Sequence, residues 1–200
     1  MVETATPPSV TVQPRRFTSD EVQTMLRAGI LHEDDRLELI DGQLIPMSPI
    51  GDPHVACINQ LTYLLSKHLI NANRDDVRVS VQNPVRIDAH NEPEPDVVLT
   101  TATDRAPQPS DTLLLVEVAD SSLHYDRATK LSLYAQAGIP EVWIVNLAEG
   151  QIEMHRVPKG TVYSTRHIAT EGDTLTIEKL PAVEALPAAD VLPEAEDSSA

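Results

Sequence analysis

Residues 113–146 of the chain read LLLVEVADSSLHYDRATKLSLYAQAGIPEVWIVN. The first six residues, 113–118, are apolar except for Glu117, and a run that is apolar on both faces is typical of a buried strand. A helical pattern over residues 126–137 follows and stops at a Gly-Ile-Pro signal, before a second apolar run at 141–146. The stretch therefore predicts a strand, a helix and a returning strand, which together form the centre of an α/β fold.

Glu117 does not fit its apolar surroundings. Burying an unpaired carboxylate costs several kcal/mol, so such a group is normally protonated, paired or bound to a metal. Asp96 begins an earlier apolar strand and Glu117 ends the next one, so antiparallel pairing would bring the two acids to the same end of the sheet. A hard divalent cation such as Mg²⁺ would relieve their repulsion, and a phosphodiester substrate would complete its coordination shell.

Further elements are predicted on either side of this centre. Thr18-Ser19-Asp20-Glu21 is a capping box, which predicts a short first helix. Asp41-Gly42 stands between two apolar runs and predicts a tight hairpin. Apolar residues at three- and four-residue steps predict one long packing helix over residues 54–70. Alternating patterns predict other strands near 77–87, 97–99, 152–157, 162–168 and 174–177, the last three as an antiparallel extension.

The organisation predicted from these patterns is one α/β domain. A central mixed sheet is flanked by helices, with an added antiparallel hairpin region, and 200 residues suit a single core. Residues 15–180 are expected to form this domain. Residues 1–14 are expected to be a flexible N-terminal tail, and residues 181–200 a second flexible tail, because they mix Pro, Ala and acids with little apolar content.

Composition excludes several classes of protein. The chain lacks a run of roughly 18 apolar residues, so no membrane association is expected. Met1 to Pro14 has neither a basic start nor an apolar stretch of signal-peptide length, which favours a cytoplasmic location. The single cysteine, Cys57, excludes an internal disulfide and a multi-cysteine zinc site, and its apolar surroundings predict a buried structural thiol.

The charge is unusual for a protein that binds nucleic acid. The formal net charge is −16, whereas nucleic-acid binders usually carry a basic surface. One acid precedes Pro14 and five follow Pro181, and the residues between them still carry 25 acids against 15 bases. Long-range electrostatic attraction to DNA is therefore not expected.

Three separated blocks of sequence carry a resemblance to a known family. They are ELIDGQLIPMSP (38–49) with the following His54, EPEPDVVL (92–99), and LLVEVADSSLHYDRATKLSLYAQAGIPEVWIV (114–145). Over roughly residues 15–160 the chain resembles the Uma-two family of putative restriction endonucleases, within the PD-(D/E)xK nuclease superfamily. The resemblance implies a restriction-endonuclease-like core and a metal-dependent endonuclease that hydrolyses phosphodiester bonds in DNA. It also implies Mg²⁺, with Mn²⁺ as a second choice, and by analogy a homodimer, because cutting a duplex needs two sites.

The resemblance assigns roles to individual residues. Asp96 takes the position of the family's aspartate, Glu117 that of its second acid, and the Val118 carbonyl that of a third metal ligand. The superfamily's Glu-x-Lys triplet has its lysine where this chain has Ala119. Lys130 is the natural substitute, because a lysine on the next helix can point back over the strand end and orient the attacking water.

Other residues near these motifs have both a functional and a plainer interpretation. Glu38 matches an acid of the family pattern and would contact the metal or orient Lys130; otherwise it lies on a solvated strand face. His54 would contact substrate or else cap a helix. Tyr134 would contact substrate or else pack against the sheet. Lys130 follows Asp126 by four residues, a spacing that also makes an ordinary helical ion pair.

Two alternatives to a DNA endonuclease stay open. The first is a catalytically inactive nuclease-fold module for binding or assembly, which the acidic charge and Ala119 both favour. The second is a hydrolase acting on RNA or a small nucleotide, for which an acidic surface matters less. The sequence itself does not select the nucleic acid.

Overall fold

The computed structural model describes residues 14–192, with the side chain of Glu33 excepted. Its helices are α1 (Ser19–Arg27), α2 (Asp52–Asn71), α3 (Leu123–Tyr125) and α4 (Leu131–Gln136), with a π-helical turn at Asp126–Lys130 and 3₁₀ turns at Glu33–Asp35, Pro109–Asp111 and Ala188–Asp190. Its strands are β1 (Leu37–Ile40), β2 (Gln43–Pro46), β3 (Val77–Val81), β4 (Val97–Thr101), β5 (Thr112–Ala119), β6 (Glu141–Asn146), β7 (Gln151–Lys159), β8 (Val162–Ala169), β9 (Thr174–Leu175) and β10 (Leu186–Pro187).

A six-stranded mixed sheet forms the centre of the fold. Its strand order is β3-β4-β5-β6-β7-β8, and every neighbouring pair is antiparallel except β5 and β6. Parallel neighbours need a crossover connection, and residues 123–136 supply one as a single helical path through α3, the π turn and α4. The structure thus confirms the predicted α/β class and the strand, helix, strand reading of residues 113–146.

Both faces of the sheet are covered, which explains the continuous apolar run of β5. Leu114, Val116 and Val118 lie in one core cluster, together with the buried face of α2. Leu115 and Ala119 lie in a second cluster on the other face, with Tyr134 of the crossover helix. Glu117 lies between these two residues on the same face of β5, so it faces the crossover helix.

The hairpin of β1 and β2 turns at Asp41 and Gly42, whose φ values are 51° and 73°. Positive φ at both central residues is the requirement of a type I′ turn, so the Asp-Gly prediction is confirmed. Leu39 and Glu92 form an antiparallel bridge, in which the Glu92 N–H donates to the Leu39 carbonyl at 2.8 Å. The bridge ties the hairpin to the chain just before β4 and so brings Glu38 towards the sheet.

Both predicted helices at the N-terminal end are present. The capping box of Thr18 and Glu21 begins α1, and α2 covers the predicted long packing helix. Val55 differs from Ile58, Leu61, Leu65 and Leu69, which follow it at helical spacing and are buried, because Val55 is 43 % exposed. The predicted strand near residues 85–87 is wrong: after Pro84 these residues bond to loops, with the Val85 N–H donating to the Pro93 carbonyl at 2.9 Å.

The predicted domain boundary at residue 180 is also wrong. Residues 181–192 were expected to be part of a flexible tail, but Leu186 pairs with Leu175 in the β9–β10 ribbon, and both are fully buried. Val191 packs in the same core as α2, where Cys57 Sγ lies 3.6 Å from its carbonyl oxygen. Apolar residues spaced through the Pro- and Ala-rich segment are enough to cover that face of the sheet. The tails expected at 1–13 and 193–200 lie outside the described residues.

The strand predicted near residues 174–177 joins β10 rather than extending the central sheet. Its anchor is Glu141 of β6, which accepts hydrogen bonds from the Trp143 indole at 2.7 Å and from the Glu178 backbone N–H at 2.7 Å. Arg156 also donates to Glu141, at 2.8 Å. This buried network fixes the position of the C-terminal segment against the sheet.

Two further observations concern Cys57 and the apolar length of the helices. Cys57 is buried, and burial raises its pKa to about 12, so the prediction of a structural thiol is confirmed. Within residues 14–192, no helix is long and apolar enough to cross a membrane.

Leu186→Ala tests the packing of the C-terminal segment. Leu186 is fully buried, so the substitution should lower the free energy of unfolding by about 2–5 kcal/mol. Chemical denaturation measures the change. The control is Val162→Ala on β8, where the side chain is 59 % exposed and the expected change stays within about 0.5 kcal/mol. Equal small effects for both variants would contradict the packing of residues 181–192.

Candidate active site

Strand register brings Asp96 and Glu117 together. Val97 lies opposite Val116 in the antiparallel pair of β4 and β5, so the residue before Val97 and the residue after Val116 meet at one end of the sheet. The Val118 N–H donates a hydrogen bond of 2.8 Å to Asp96 Oδ2 across this pair. The antiparallel pairing inferred from the sequence is confirmed, and both carboxylates are buried.

Lys130 points from the crossover helix back over the strand end. Its Nζ lies 3.1 Å from Glu38 Oε2 and 3.3 Å from Glu117 Oε1. The ion pairs of Lys130 are thus with Glu38 and Glu117, and not with Asp126, four residues before it. Asp126 accepts a hydrogen bond of 2.6 Å from the Ser122 hydroxyl. Residues 126–130 form a π turn, a distortion frequent at functional sites, and both of its end residues are buried.

Glu117 occupies an environment that disfavours its charge. Its side chain is 3 % exposed, and the Tyr134 hydroxyl donates a hydrogen bond of 2.6 Å to Oε1. Burial raises the pKa of Glu117 well above its usual range. The positive charge of Lys130 opposes this rise, whereas the negative charges of Asp126 and Asp96 add to it. Burial therefore favours the protonated form of Glu117, and the ionised form depends on a nearby cation.

The groups that contact Glu117 keep their protons at neutral pH. Burial alone would lower the pKa of Lys130, but the charges of Glu117 and Glu38 outweigh burial and raise it. Burial and the charge of Glu117 raise the pKa of Tyr134 well above its usual range. Lys130 and Tyr134 can therefore donate hydrogen bonds and stabilise negative charge, but neither can act as a base.

His54 lies near the start of α2 and reaches the site from the opposite side of the sheet. Its Nε2 lies 3.2 Å from Asp96 Oδ2, and its Nδ1 is buried without a hydrogen-bond partner among the described residues. The hydrogen bond to Asp96 raises the pKa of His54. The side chain is therefore held by the Asp96 carboxylate, unlike a solvated residue at a helix entry.

Two acids of the site were not singled out as site residues in the sequence analysis. Asp126 is buried, and burial raises its pKa. Glu94 is half-buried, and burial followed by the charge of Glu38 raises its pKa. Glu94 stands two residues before Asp96, a same-face spacing that could have identified it. Asp126 was interpreted only as the helical partner of Lys130.

Tyr125 and Arg36 were also not identified from the sequence. The Lys130 ammonium lies 5.8 Å from the centre of the Tyr125 ring, within the range of a cation–π contact. Burial, followed by the charge of Glu38, raises the pKa of Tyr125. Arg36 lines the cleft two residues before Glu38. Neither residue follows a motif that signals function, so only the fold reveals their position.

Glu153 is another buried carboxylate, and it lies in the same row across the strands as Glu117. Glu117 is opposite Ile144, which is opposite Glu153, so two strand spacings, about 10 Å, separate the two acids. Glu153 contacts the guanidinium groups of Arg127 and Arg166. The crossover helix thus directs Lys130 to one buried acid and Arg127 to the other.

The site opens into a cleft of about 320 Å³. Its lining includes Glu38, Glu94, Asp96, Glu117 and Asp126. No group of three or more His, Cys, Asp or Glu side chains in residues 14–192 is arranged to hold a metal ion. A Mg²⁺ site needs less, because one or two carboxylates with waters and substrate oxygens suffice. Both described contacts of Asp96 use Oδ2, so Oδ1 is available as a ligand, and the donor set fits a hard cation.

Comparison with known proteins agrees with the fold and the motifs. A family model described as "Uma2: Putative restriction endonuclease" matches residues 20–189. The chain belongs to the Uma2 family. The crystal structure of a putative nuclease belonging to DUF820, from Anabaena variabilis ATCC 29413, aligns with a TM-score of 0.68 and 11 % sequence identity. The alignment covers 88 % of this chain and 97 % of that one. No curated protein matches the chain.

These comparisons support a nuclease, a hydrolase acting on phosphodiester bonds. The structural match at this identity shows the restriction-endonuclease-like fold alone, whereas the Uma2 model carries the functional description. The predicted family is confirmed. The roles predicted for Asp96, Glu117, Val118, Lys130, Glu38, His54 and Tyr134 stay predictions, although the structure brings these residues into one site.

Lys130→Met tests the compensation of charge within the Uma2 site. Removing the ammonium leaves Glu38 and Glu117 buried without a cation, so the free energy of unfolding should fall by about 3–5 kcal/mol. Chemical denaturation is the measurement, with Lys67→Met on the exposed face of α2 as the control. The double variant with Glu117→Gln should lose less than Lys130→Met alone. A Lys130→Met protein as stable as the control would contradict the ion-pair account.

Glu153→Gln tests the second buried carboxylate by its pH dependence. Burial raises the pKa of Glu153, but the contacts with Arg127, His155 and Arg166 outweigh burial and lower it below the usual value of 4.5. A lowered pKa in the folded state stabilises the fold above the unfolded pKa, and this stability is lost as pH falls through the folded pKa. The variant should therefore lose about 1–3 kcal/mol at pH 7.

The difference between wild type and Glu153→Gln should narrow as the pH is lowered below about 4.5, as the wild-type carboxylate becomes protonated. Urea denaturation of both proteins over a pH series measures it. A difference that stays constant from pH 7 to pH 3 would show that the charge of Glu153 contributes nothing to the effect.

Proposed function

We propose that this protein is a metal-dependent endonuclease that hydrolyses phosphodiester bonds in DNA. The observation that carries the proposal is an excess of buried carboxylates over the cationic side chains beside them. Four carboxylates, those of Glu38, Asp96, Glu117 and Asp126, are buried near the Lys130 ammonium and the His54 imidazole. Buried charges are retained only when they are paired or bind a metal, and Lys130 with a protonated His54 would compensate for two charges of the four.

Mg²⁺, or Mn²⁺ in its place, is the cation that we propose for this site. Asp96, Glu117 and the backbone carbonyl of Val118 would hold it, because hard cations prefer oxygen ligands. When bound, the ion would lower the pKa of a coordinated water and neutralise charge on the scissile phosphate. Glu38 would not bind the ion directly. It would hold the Lys130 ammonium, whose Nζ lies 3.1 Å from Glu38 Oε2.

Lys130 takes the role of the missing lysine of the Glu-x-Lys triplet. The backbone position of that lysine is Ala119, which is fully buried in β5. Lys130 presents an ammonium to Glu117 Oε1 at 3.3 Å from the crossover helix instead. Because Lys130 remains protonated, it would orient the attacking water and stabilise charge that develops on the phosphate.

Tyr134 and His54 would fix the two metal-binding carboxylates. The Tyr134 hydroxyl donates to Glu117 Oε1, and His54 Nε2 contacts Asp96 Oδ2. Holding a ligand by an outer contact fixes its orientation, and loss of such a contact typically costs 10- to 100-fold in metal affinity or activity. His54 lines the cleft, so the substrate contact predicted for it stays part of the proposal. Tyr134 is fully buried behind Glu117, so the positioning role replaces the substrate contact predicted for it.

The substrate and the assembly are the finer parts of the proposal. DNA is the substrate suggested by the family description, with RNA or a small nucleotide as the alternative. A homodimer would supply the two sites that duplex cleavage needs. The cytoplasmic location expected from the sequence stays a prediction.

A catalytically inactive binding or assembly module is the second candidate function. Its support is Ala119, together with a net charge of −16, which disfavours approach to DNA. In such a module the buried carboxylates would serve only to hold Lys130. It would bind neither Mg²⁺ nor Mn²⁺ in a manner that depends on Asp96.

The proposal is tested by metal binding and plasmid nicking with the same set of proteins. Calorimetry with Mg²⁺ and Mn²⁺ should detect binding to wild type and none to Asp96→Asn or Glu117→Gln. Nicking should fall by at least about 100-fold in both variants, as for loss of a principal electrostatic contribution. Glu153→Gln is the matched control, because it neutralises a buried acid of the same row outside the cleft. It should bind metal and nick like wild type.

The outcomes separate the two candidate functions. Loss of binding and nicking in both site variants, with activity retained in Glu153→Gln, supports the nuclease. A wild type that binds neither metal and leaves plasmid intact contradicts the nuclease and supports the inactive module. Nicking that survives Glu117→Gln would mean that the activity arises elsewhere.

A further inference from the structure

Arg36 lines the cleft and is more exposed than the four buried carboxylates of the site, so it lies nearer to the mouth of the cleft. It lines the cavity together with Glu38, His54 and Glu94, and it is half-buried. Its charge reaches two of these groups. Burial raises the pKa of Glu94, and the hydrogen bond to Asp96 raises the pKa of His54. The positive charge of Arg36 opposes both increases. Because it is part of the cleft lining, Arg36 is in reach of a ligand bound in the cleft.

The guanidinium of Arg36 differs from the other arginines of the fold. It makes no ion pair or hydrogen bond with any side chain or carbonyl that the structure describes, whereas each other arginine in residues 14–192 makes at least one. Those others are Arg15, Arg16, Arg27, Arg74, Arg78, Arg86, Arg105, Arg127, Arg156 and Arg166. In a chain of net charge −16, an arginine without such a contact beside several acids is available to bind a ligand.

The backbone at Arg36 is strained. Its φ is 49°, in the left-handed region, which side chains other than Gly, Asn and Asp rarely adopt. The residue joins the Glu33–Asp35 turn to β1, so the strain fixes the direction in which the side chain leaves the chain. Glycine would be the less strained residue for this turn. Such strain persists where the surrounding structure imposes it, and it is concentrated at functional sites.

We propose that Arg36 forms a phosphate-binding subsite at the mouth of the cleft, where it binds a backbone phosphate of the nucleic acid next to the scissile one. The proposal rests on the nuclease function above and adds the residue that holds the substrate. A guanidinium matches a phosphate with two parallel N–H donors. The carboxylates deeper in the cleft repel phosphate, so a cationic contact at the mouth is needed to hold the backbone in place.

Binding of nucleic acid is the direct test. Fluorescence anisotropy is measured with a labelled 20-base-pair DNA duplex and with a single-stranded RNA, over a series of monovalent salt concentrations without divalent cations. The Glu117→Gln background is used so that the probe is not cut. In this background Arg36→Gln should weaken binding by about tenfold or more, as for loss of a charge-assisted contact. The slope of log affinity against log salt should fall by about 0.9, the contribution of one phosphate contact on duplex DNA.

Two further substitutions separate a ligand contact from a structural role. Arg36→Lys keeps the charge but loses the paired donors, so it should weaken binding less than Arg36→Gln and keep the salt slope. Arg36→Gly should weaken binding as Arg36→Gln does, while its melting temperature stays equal to or above that of the parent, because strain is relieved. The matched control is Val157→Gly, another residue with positive φ, 58°, and a 51 % exposed side chain on β7. It should leave binding unchanged.

Unchanged affinity and salt slope in Arg36→Gln would overturn the subsite, and so would binding of neither probe by the parent. A melting temperature that falls in Arg36→Gly would assign the residue to the fold instead. The nicking assay keeps this inference distinct from the proposed function. If nicking depends on Asp96 and Glu117 but is unchanged in Arg36→Gln, the nuclease function is supported and the subsite is not. If binding depends on Arg36 but wild type does not nick plasmid, the phosphate-binding subsite is supported and the hydrolytic function is not.

Discussion

The ion pairs of Lys130 with Glu38 and Glu117 are the interactions on which the site depends. Both acids are buried, and the ammonium lies within 3.3 Å of each. Removing one partner from a buried ionic group is far costlier than replacing the whole group by apolar side chains. The arrangement therefore constrains three separate parts of the chain at once: the hairpin through Glu38, the central strand through Glu117, and the crossover helix through Lys130. Asp96 and Asp126 add further negative charge, part of which the proposed divalent cation would compensate.

The fold meets this constraint through the pairing of its strands and one crossover helix. Antiparallel pairing of β4 and β5 brings Asp96 beside Glu117, and the parallel neighbour β6 makes the crossover helix necessary. A π turn in that helix ends at Lys130. The bridge between Leu39 and Glu92 holds the hairpin against the chain before β4. The same row of the sheet carries Glu153, whose contacts with arginine side chains show how a buried acid is compensated without a cleft.

Much of this arrangement could be predicted from the sequence, because the decisive signals are local. The apolar run around Glu117, the capping box at Thr18 and the Asp41-Gly42 turn each act through neighbouring residues, and the family blocks cover most of the core. The residues that were missed depend on contacts far apart in the chain. Residues 181–192 look unstructured in composition, yet Leu186 is fully buried. Arg36 follows no motif, and its place at the cleft comes from the hairpin docking, which the sequence does not specify.

We propose that the buried carboxylates of this site require a bound divalent cation. The most direct measurement is the melting temperature of wild type and Glu117→Gln as Mn²⁺ is added. A ligand that binds only the folded state stabilises it in proportion to the logarithm of its concentration above the dissociation constant. The account predicts that the wild-type melting temperature rises steadily with Mn²⁺, whereas that of Glu117→Gln stays constant. A wild-type melting temperature that does not respond to Mn²⁺ would contradict the account.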